Sequence, residues 1–172
     1  MRLTEQGRLL ALTLLGAGSL LAGACGSSGG TLPEPPPCAT PTAAATPGQG
    51  SYFNLVRRAN DTLVARLTAF RAQYPGGKFF RSGSFREDFV VYYGAATCAL
   101  DDLANAVLPG NANAAGRERD AQIKAIAVGY RAVMDYGLNA VKQRNTSDYR
   151  KWNTRVDAVA SRLATALALP TR

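Results

Sequence analysis

The residue types that most often carry catalysis are scarce in this chain. Its 172 residues include three cysteines, Cys25, Cys38 and Cys98, and no histidine. Without histidine, the chain cannot build a Ser-His-Asp site, a Cys-His site or the Glu-x-x-His motif with which helical bundles hold metal ions. Zinc sites need several Cys or His ligands close together, which these few well-separated cysteines do not supply. We therefore expect no cofactor and no metal, and we predict that the protein is not an enzyme.

Two pairs of neighbouring carboxylates are the remaining candidates for acid–base chemistry. They are Glu87-Asp88 and Asp101-Asp102, and both fall in a predicted helix. Neighbouring residues on a helix do not face each other, so neither pair converges on one substrate. Asp88 also lies near the start of that helix, where a negative charge is stabilising. We interpret these residues as structural and assign no catalytic residue.

The first 25 residues have the pattern of an export signal. Arg2 and Arg8 precede an uncharged stretch, residues 9–24, which is shorter than the approximately 20 apolar residues that span a bilayer. A positive start, an apolar middle and small residues before a cleavage point are typical of a secretory signal. The stretch ends in Ala22-Gly23-Ala24-Cys25. This end resembles the lipobox of bacterial lipoproteins.

The lipobox resemblance implies that residues 1–24 are a signal peptide and that the Cys25 thiol carries a diacylglycerol. Ala22 departs from the usual pattern, in which leucine is common at that position. The alternative is an ordinary signal peptide cut nearby. The resemblance places the mature chain on a membrane of the bacterial envelope, either the outer face of the cytoplasmic membrane or the outer membrane. Gly26, rather than aspartate, favours the outer membrane in a two-membrane bacterium.

Two cysteines, Cys38 and Cys98, remain once Cys25 is modified. Thiols of exported proteins tend to oxidise, and an even number of them favours a disulfide. We therefore predict a Cys38–Cys98 bond. The alternative is a buried free thiol at Cys98 and a mobile one at Cys38.

Basic and aromatic residues alternate in the segment PGGKFFRSGSFREDF, residues 75–89. Such mixtures bind anionic polymers or membrane interfaces. The alternative is that the phenylalanines close one end of the fold while the charges are solvated. A second basic group, Arg144, Arg150, Lys151 and Arg155, surrounds a later turn. The candidate binding surface is Lys78, Phe79, Phe80, Arg81, Arg86, Arg150 and Lys151.

The elements that position these residues follow a segment of low complexity. Residues 25–50 consist mostly of Gly, Pro, Ser, Thr and Ala. Such a composition cannot bury enough apolar surface to offset the entropy of ordering the chain. We therefore predict that residues 25–50 form a disordered tether.

Residues 51–172 carry four apolar stripes with helical spacing and no segment of period two. The stripes run from Val56 to Tyr74, Phe85 to Val107, Ile123 to Val141 and Tyr149 to Leu167. Ser84 and Glu87 have capping-box spacing for the second helix. Asn145 is expected to end the third helix in a left-handed conformation, with Thr146 or Ser147 capping the fourth. The pattern predicts an all-α fold, an antiparallel up-down-up-down four-helix bundle.

Taken together, these features predict a membrane-anchored, non-enzymatic helical domain that binds an anionic envelope component or a protein partner. A small-ligand carrier, or an enzyme with a pocket inside the bundle, is one alternative, and a structural spacer is another. We expect no nucleic-acid partner. Residues 51–172 resemble no family that we recognise.

Overall fold

The structure, a computed structural model, describes residues 32–38, 48–77 and 80–168, and all of the regular secondary structure in these ranges is helical. There are four α-helices and a short 3-10 turn at Pro75–Gly77, and these residues contain no strand. The predicted all-α class with four helices is confirmed. The predicted signal peptide and Cys25 lie outside the described residues. The helices are α1 (Gln49–Gln73), α2 (Gly83–Asn105), α3 (Ala114–Lys142) and α4 (Thr146–Ala168).

Each helix buries most of the stripe that its spacing predicts. In α4, for example, Tyr149, Trp152, Val156, Val159 and Leu163 are all buried. Burying one face of each helix against its neighbours removes apolar surface from water, and this drives the association of the helices.

The boundaries of two helices differ from the sequence prediction. Helix α1 begins at Gln49, two residues inside the predicted tether. Helix α2 ends at Asn105, so Val107, predicted to belong to its stripe, is 78% exposed. Pro109 limits the helix, because its ring cannot continue an α-helix and the residue before a proline is disfavoured in the helical region.

The cap of α2 is also displaced from its predicted position. Ser82, not Ser84, is the N-cap, and its Oγ accepts a hydrogen bond from the Phe85 amide at 3.2 Å. Ser84 instead lies within the first helical turn. The predicted capping box is therefore wrong by two residues.

The junction between α3 and α4 is shifted by one residue. Arg144, not Asn145, has the left-handed conformation, with φ 53°. The Asn145 amide donates to the Ala140 carbonyl at 2.9 Å and the Arg144 amide to the Val141 carbonyl at 3.2 Å, which is the Schellman pattern. The Asn145 side chain then accepts from the Asp148 amide at 3.1 Å and so caps α4. Thr146 and Ser147 do not have the predicted capping role.

Each of the four helices packs against two others. Helix α1 contacts α2 and α4, and α3 contacts the same two helices. Aromatic rings fill one part of the shared core. We call this group the aromatic cluster: Phe70, Phe80, Phe85, Phe89, Tyr92, Tyr149 and Trp152.

Residues 32–38 lie against α2 in an irregular, non-helical conformation. Cys38 is bonded to Cys98, with Cα atoms 5.3 Å apart, so the predicted disulfide is present. Pro36 lies so close to Gly94 that a Cβ on the glycine would be 2.8 Å from the proline Cδ. Leu32 packs against the core. These contacts correct the prediction of a disordered tether for residues 32–38, because the cystine and the proline contact fix the chain there. We call this piece the docked segment.

Candidate binding surface

Two basic turns of the chain meet at one end of the domain. The ring of Phe80, from the turn before α2, lies 4.9 Å from the ring of Tyr149, in the first turn of α4. Arg81 and Arg150 each follow one of these two residues, and consecutive Cα atoms are only about 3.8 Å apart. The contact therefore brings the two basic groups together. We call this region the basic end: Arg81, Arg86, Arg144, Arg150 and Lys151.

Phe80 belongs to the core and not to a binding surface. Its side chain is 3% exposed and packs against Phe85 and Tyr149, with ring centroids 5.5 and 4.9 Å away. This corrects its inclusion in the candidate surface, because a ring with so little exposure has no face left for a ligand. Lys78 and Phe79, the other two members from the same turn, lie outside the described residues.

The five cations of the basic end are not equally available. Arg81, Arg144 and Arg150 are exposed and form no salt bridge with another described residue. Lys151 pairs with Asp148 at 3.0 Å. The hydrogen bond between them raises the pKa of Lys151 and lowers the pKa of the Asp148 carboxyl. Arg86 is only partly exposed. The three exposed arginines therefore carry most of the accessible positive charge.

The carboxylates near this end have protein partners of their own. Asp148 accepts hydrogen bonds from the Tyr136 hydroxyl at 2.8 Å and from the Asn145 amide group at 2.7 Å. Asp88 accepts from the Tyr74 hydroxyl and from the Gln73 amide group. A third carboxylate, Glu87, is exposed. The local balance remains positive, because the five basic side chains of the basic end outnumber these three carboxylates.

The core holds buried phenols whose pKa values are unsuited to acid–base work near neutral pH. Burial raises the pKa values of Tyr130 and Tyr149 to about 12 and that of Tyr92 further still. The Tyr92 hydroxyl donates to the Met134 sulfur at 3.8 Å. General acids and bases work best with a pKa near the operating pH. These phenols therefore stay protonated near neutral pH. Among the described residues, no three His, Cys, Asp or Glu side chains are grouped so as to hold a metal ion.

A surface groove lies between α3 and α4. It holds about 350 Å³ and is open to solvent. Its lining combines small, apolar and basic side chains: Gln122, Ala125, Ile126, Ser161, Arg162, Thr165 and Ala166. A groove of this size can admit a small molecule.

Arg119 is a buried cation that sequence reasoning missed. It is 5% exposed, and its Nε donates to the Ala166 carbonyl at 2.9 Å while Nη2 donates to the Leu167 carbonyl. Its guanidinium lies 4.5 Å above the centre of the Phe53 ring. Burial, and then the charge of Arg57, lowers its pKa. Helix α4 has no basic residue in its last turn, and Arg119 supplies the missing donors to its final carbonyls.

No protein-family model, no curated protein and no solved structure matches the chain. No helix in the described ranges is long and apolar enough to cross a membrane. The basic end is the feature whose chemistry points most directly to a ligand.

Proposed function

We propose that the protein is a lipid-anchored, non-enzymatic helical domain of the bacterial envelope whose basic end binds an anionic envelope component. The observation that carries the proposal is the Phe80–Tyr149 contact, because it joins two basic turns that are distant in sequence. The lipid anchor on Cys25 is part of the proposal and is supported by the lipobox resemblance.

We infer that the four helices alternate in direction. Arg119, near the start of α3, donates to carbonyls at the end of α4. Gly137, towards the end of α3, contacts Trp152, near the start of α4. Tyr93 and Asp101 of α2 bond Asp135 and Arg131 of α3, so a later position on α2 meets an earlier one on α3. In an up-down-up-down bundle, the turns after α1 and α3 share one end, which agrees with the position of the basic end.

The chemistry of the basic end suits phosphate or carboxylate groups. Arginine presents planar donors that bind both oxygens of an anion, and it is weakly hydrated compared with lysine. Arg81, Arg144 and Arg150 do not pair with any described carboxylate, so a ligand would not have to displace an internal partner. Attraction between exposed charges is screened over about 8 Å at physiological salt. Binding should therefore weaken as salt is added.

A matched pair of charge variants tests the proposal. Arg81→Ala with Arg150→Ala removes two charges from the basic end. Arg58→Ala with Arg162→Ala removes two exposed charges elsewhere, so the net charge is the same in both. We expect the first pair, and not the second, to weaken binding to phosphatidylglycerol vesicles or a soluble polyanion and to reduce its salt dependence. Equal losses in both pairs would indicate only non-specific attraction.

Attachment of the lipid is tested separately. Labelling cells with a fatty-acid analogue should mark the wild-type protein and not a Cys25→Ser variant. Equal labelling of the two would contradict the lipobox assignment. If the anchor is confirmed but no anionic ligand or protein partner binds, the domain acts as a structural spacer.

A further inference from the structure

The docked segment has a direction along α2. Cys38 is bonded to Cys98, and the prolines two and three residues earlier, Pro36 and Pro35, contact Gly94. Four helical residues span about 6 Å, and two extended residues span about the same length. Followed backwards from Cys38, the chain therefore runs alongside α2 towards the start of that helix.

This course brings the docked segment close to the basic end. The six steps along the chain from Cys38 back to Leu32 span about 19 Å in an extended conformation. The helical distance from Cys98 back to Gly83, the first residue of α2, is about 22 Å. Leu32 packs against the core, so the segment remains on the domain over this length. The first turn of α2 is also where Phe85 contacts Tyr149 at the basic end.

The disulfide thereby changes where the N-terminal part of the chain leaves the domain. Without it, the chain would leave from Gln49 at the start of α1. That point lies beside the start of α3, because the Gln49 side chain accepts from the Asn113 amide at 3.1 Å. The 29 residues of α3 separate this end from the basic end by about 43 Å. The docked segment moves the exit to the opposite end of the domain.

The distance to Cys25 becomes short as a result. Leu32 lies seven positions after Cys25, so the two cannot be more than about 25 Å apart. From Gln49, which lies 24 positions after Cys25, the same limit would be about 86 Å. The docked segment therefore shortens the chain between a lipid on Cys25 and the domain to about a third.

We propose that the docked segment holds the domain with its basic end against the anchoring membrane, and that the anionic phospholipid headgroups of that membrane are the ligands of Arg81, Arg144 and Arg150. This inference rests on the proposed anchor at Cys25 and names the partner of the proposed binding surface. Two independent features converge on it, the direction of the docked segment and the exposed arginines at the end where it exits. The short remaining chain keeps those arginines within reach of the headgroups.

The orientation can be measured without the acylating enzymes of the cell. Residues 31–172 form one compact unit, so the chain from residue 25 onwards retains the domain. With the Cys38–Cys98 disulfide closed, Cys25 is its only free thiol and can be coupled to a maleimide phospholipid in phosphatidylglycerol-containing vesicles. A nitroxide is placed through a ketone-bearing amino acid at Ser147, beside the basic end, or at Asn111, in the turn before α3. Both positions are exposed.

The readout is relaxation of the nitroxide by nickel chelated to lipid headgroups. We expect strong relaxation at position 147 and little at position 111. Attachment through Gly48→Cys in a Cys25→Ser chain should reverse this difference, with the stronger relaxation at position 111. The substitution fits the structure, because a Cβ at residue 48 meets no atom within 4 Å. Replacing both Cys38 and Cys98 with alanine should reduce the contrast, with circular dichroism confirming that the helices remain.

Two results would overturn the inference. Equal relaxation at both positions, or stronger relaxation at position 111, would refute the orientation. An equally large difference in relaxation between positions 147 and 111 on neutral phosphatidylcholine vesicles would refute headgroup binding. The short chain alone would then orient the domain. Failure of native acylation would show in the Cys25→Ser labelling and would leave these measurements unchanged, so the two failures are distinguishable.

Discussion

Replacing Gly137 with alanine tests how closely α3 and α4 pack. A Cβ at this position would lie 2.5 Å from both Cδ1 and Nε1 of Trp152. Comfortable contacts between carbon atoms are about 3.5–4.0 Å, so a shift of about 1 Å is needed. The Trp152 ring cannot retreat easily. It is fully buried, with the rings of Phe89 and Tyr149 at 5.0 and 5.1 Å.

Two opposing terms set the magnitude of the effect. Overpacking a well-packed core costs about 1–3 kcal/mol. Replacing glycine by alanine inside a helix contributes about 1 kcal/mol of stability through helix propensity. The matched control is Gly129→Ala on the same helix, where a Cβ meets nothing within 4 Å. Only the favourable term acts at Gly129, so the two variants should differ by about 1–3 kcal/mol in unfolding free energy, with Gly137→Ala the less stable.

Urea unfolding followed by far-ultraviolet circular dichroism measures the difference. The chain has one tryptophan, so its fluorescence reports the environment of Trp152 in the same samples. We expect a red shift for Gly137→Ala and none for Gly129→Ala. In a Trp152→Phe background, the smaller ring should remove most of the difference between the two alanine variants. Equal stabilisation by both variants in the wild-type background would refute the close packing of Gly137 against Trp152.

Further predictions concern the buried Phe80, the α3–α4 turn and the ionisable side chains. Phe80→Ala should cost about 3–5 kcal/mol in chemical denaturation, because the ring is 3% exposed; a cost typical of surface residues would contradict its place in the core. Arg144→Gly should add up to about 1 kcal/mol and raise the melting temperature, since φ there is 53°; no gain would mean that this backbone carries no strain. Burial raises the pKa values of Tyr130 and Tyr149 from 10.0 to about 12, so their stabilising contribution is complete below pH 10 and is lost between pH 10 and 12. Absorbance titration of tyrosinate should show these two phenols ionising later than in the denatured chain. The pKa of Asp148 is lowered, so its contribution is present above its ordinary value of 3.8 and is lost as the pH falls below it; denaturation from pH 5 to 3 should weaken the wild type more than Asp148→Asn.

The class of the fold could be predicted because the stripes are long and regular. A 3.6-residue repeat of apolar side chains specifies a buried helical face whatever the neighbouring helix is. The end of α1 could also be predicted, since Pro75-Gly76-Gly77 follows it. Gly76 adopts φ 65°, a conformation that glycine reaches without steric cost. These signals are local, so the sequence alone carries them.

Cap positions were predicted less well because several polar residues compete for each one. Ser82 and Ser84 have similar intrinsic preferences, and only the path of the chain from the buried Phe80 places Ser82 at the cap. At the next junction, Arg144 takes the left-handed position and leaves Asn145 free to cap α4. An unfavourable residue can occupy a position when the surrounding hydrogen bonds determine it.

The sequence by itself determined the helical class, the apolar face of each helix and the chemistry that the absence of histidine excludes, because each depends on residue type and short spacing. Only the tertiary structure decided which distant residues meet. It placed Phe80 in the core beside Tyr149, brought Arg81 and Arg150 to one end, and put Arg119 at the final carbonyls of α4. Such contacts depend on how whole helices pack, and packing is settled by shape and burial over the entire core rather than by any local pattern.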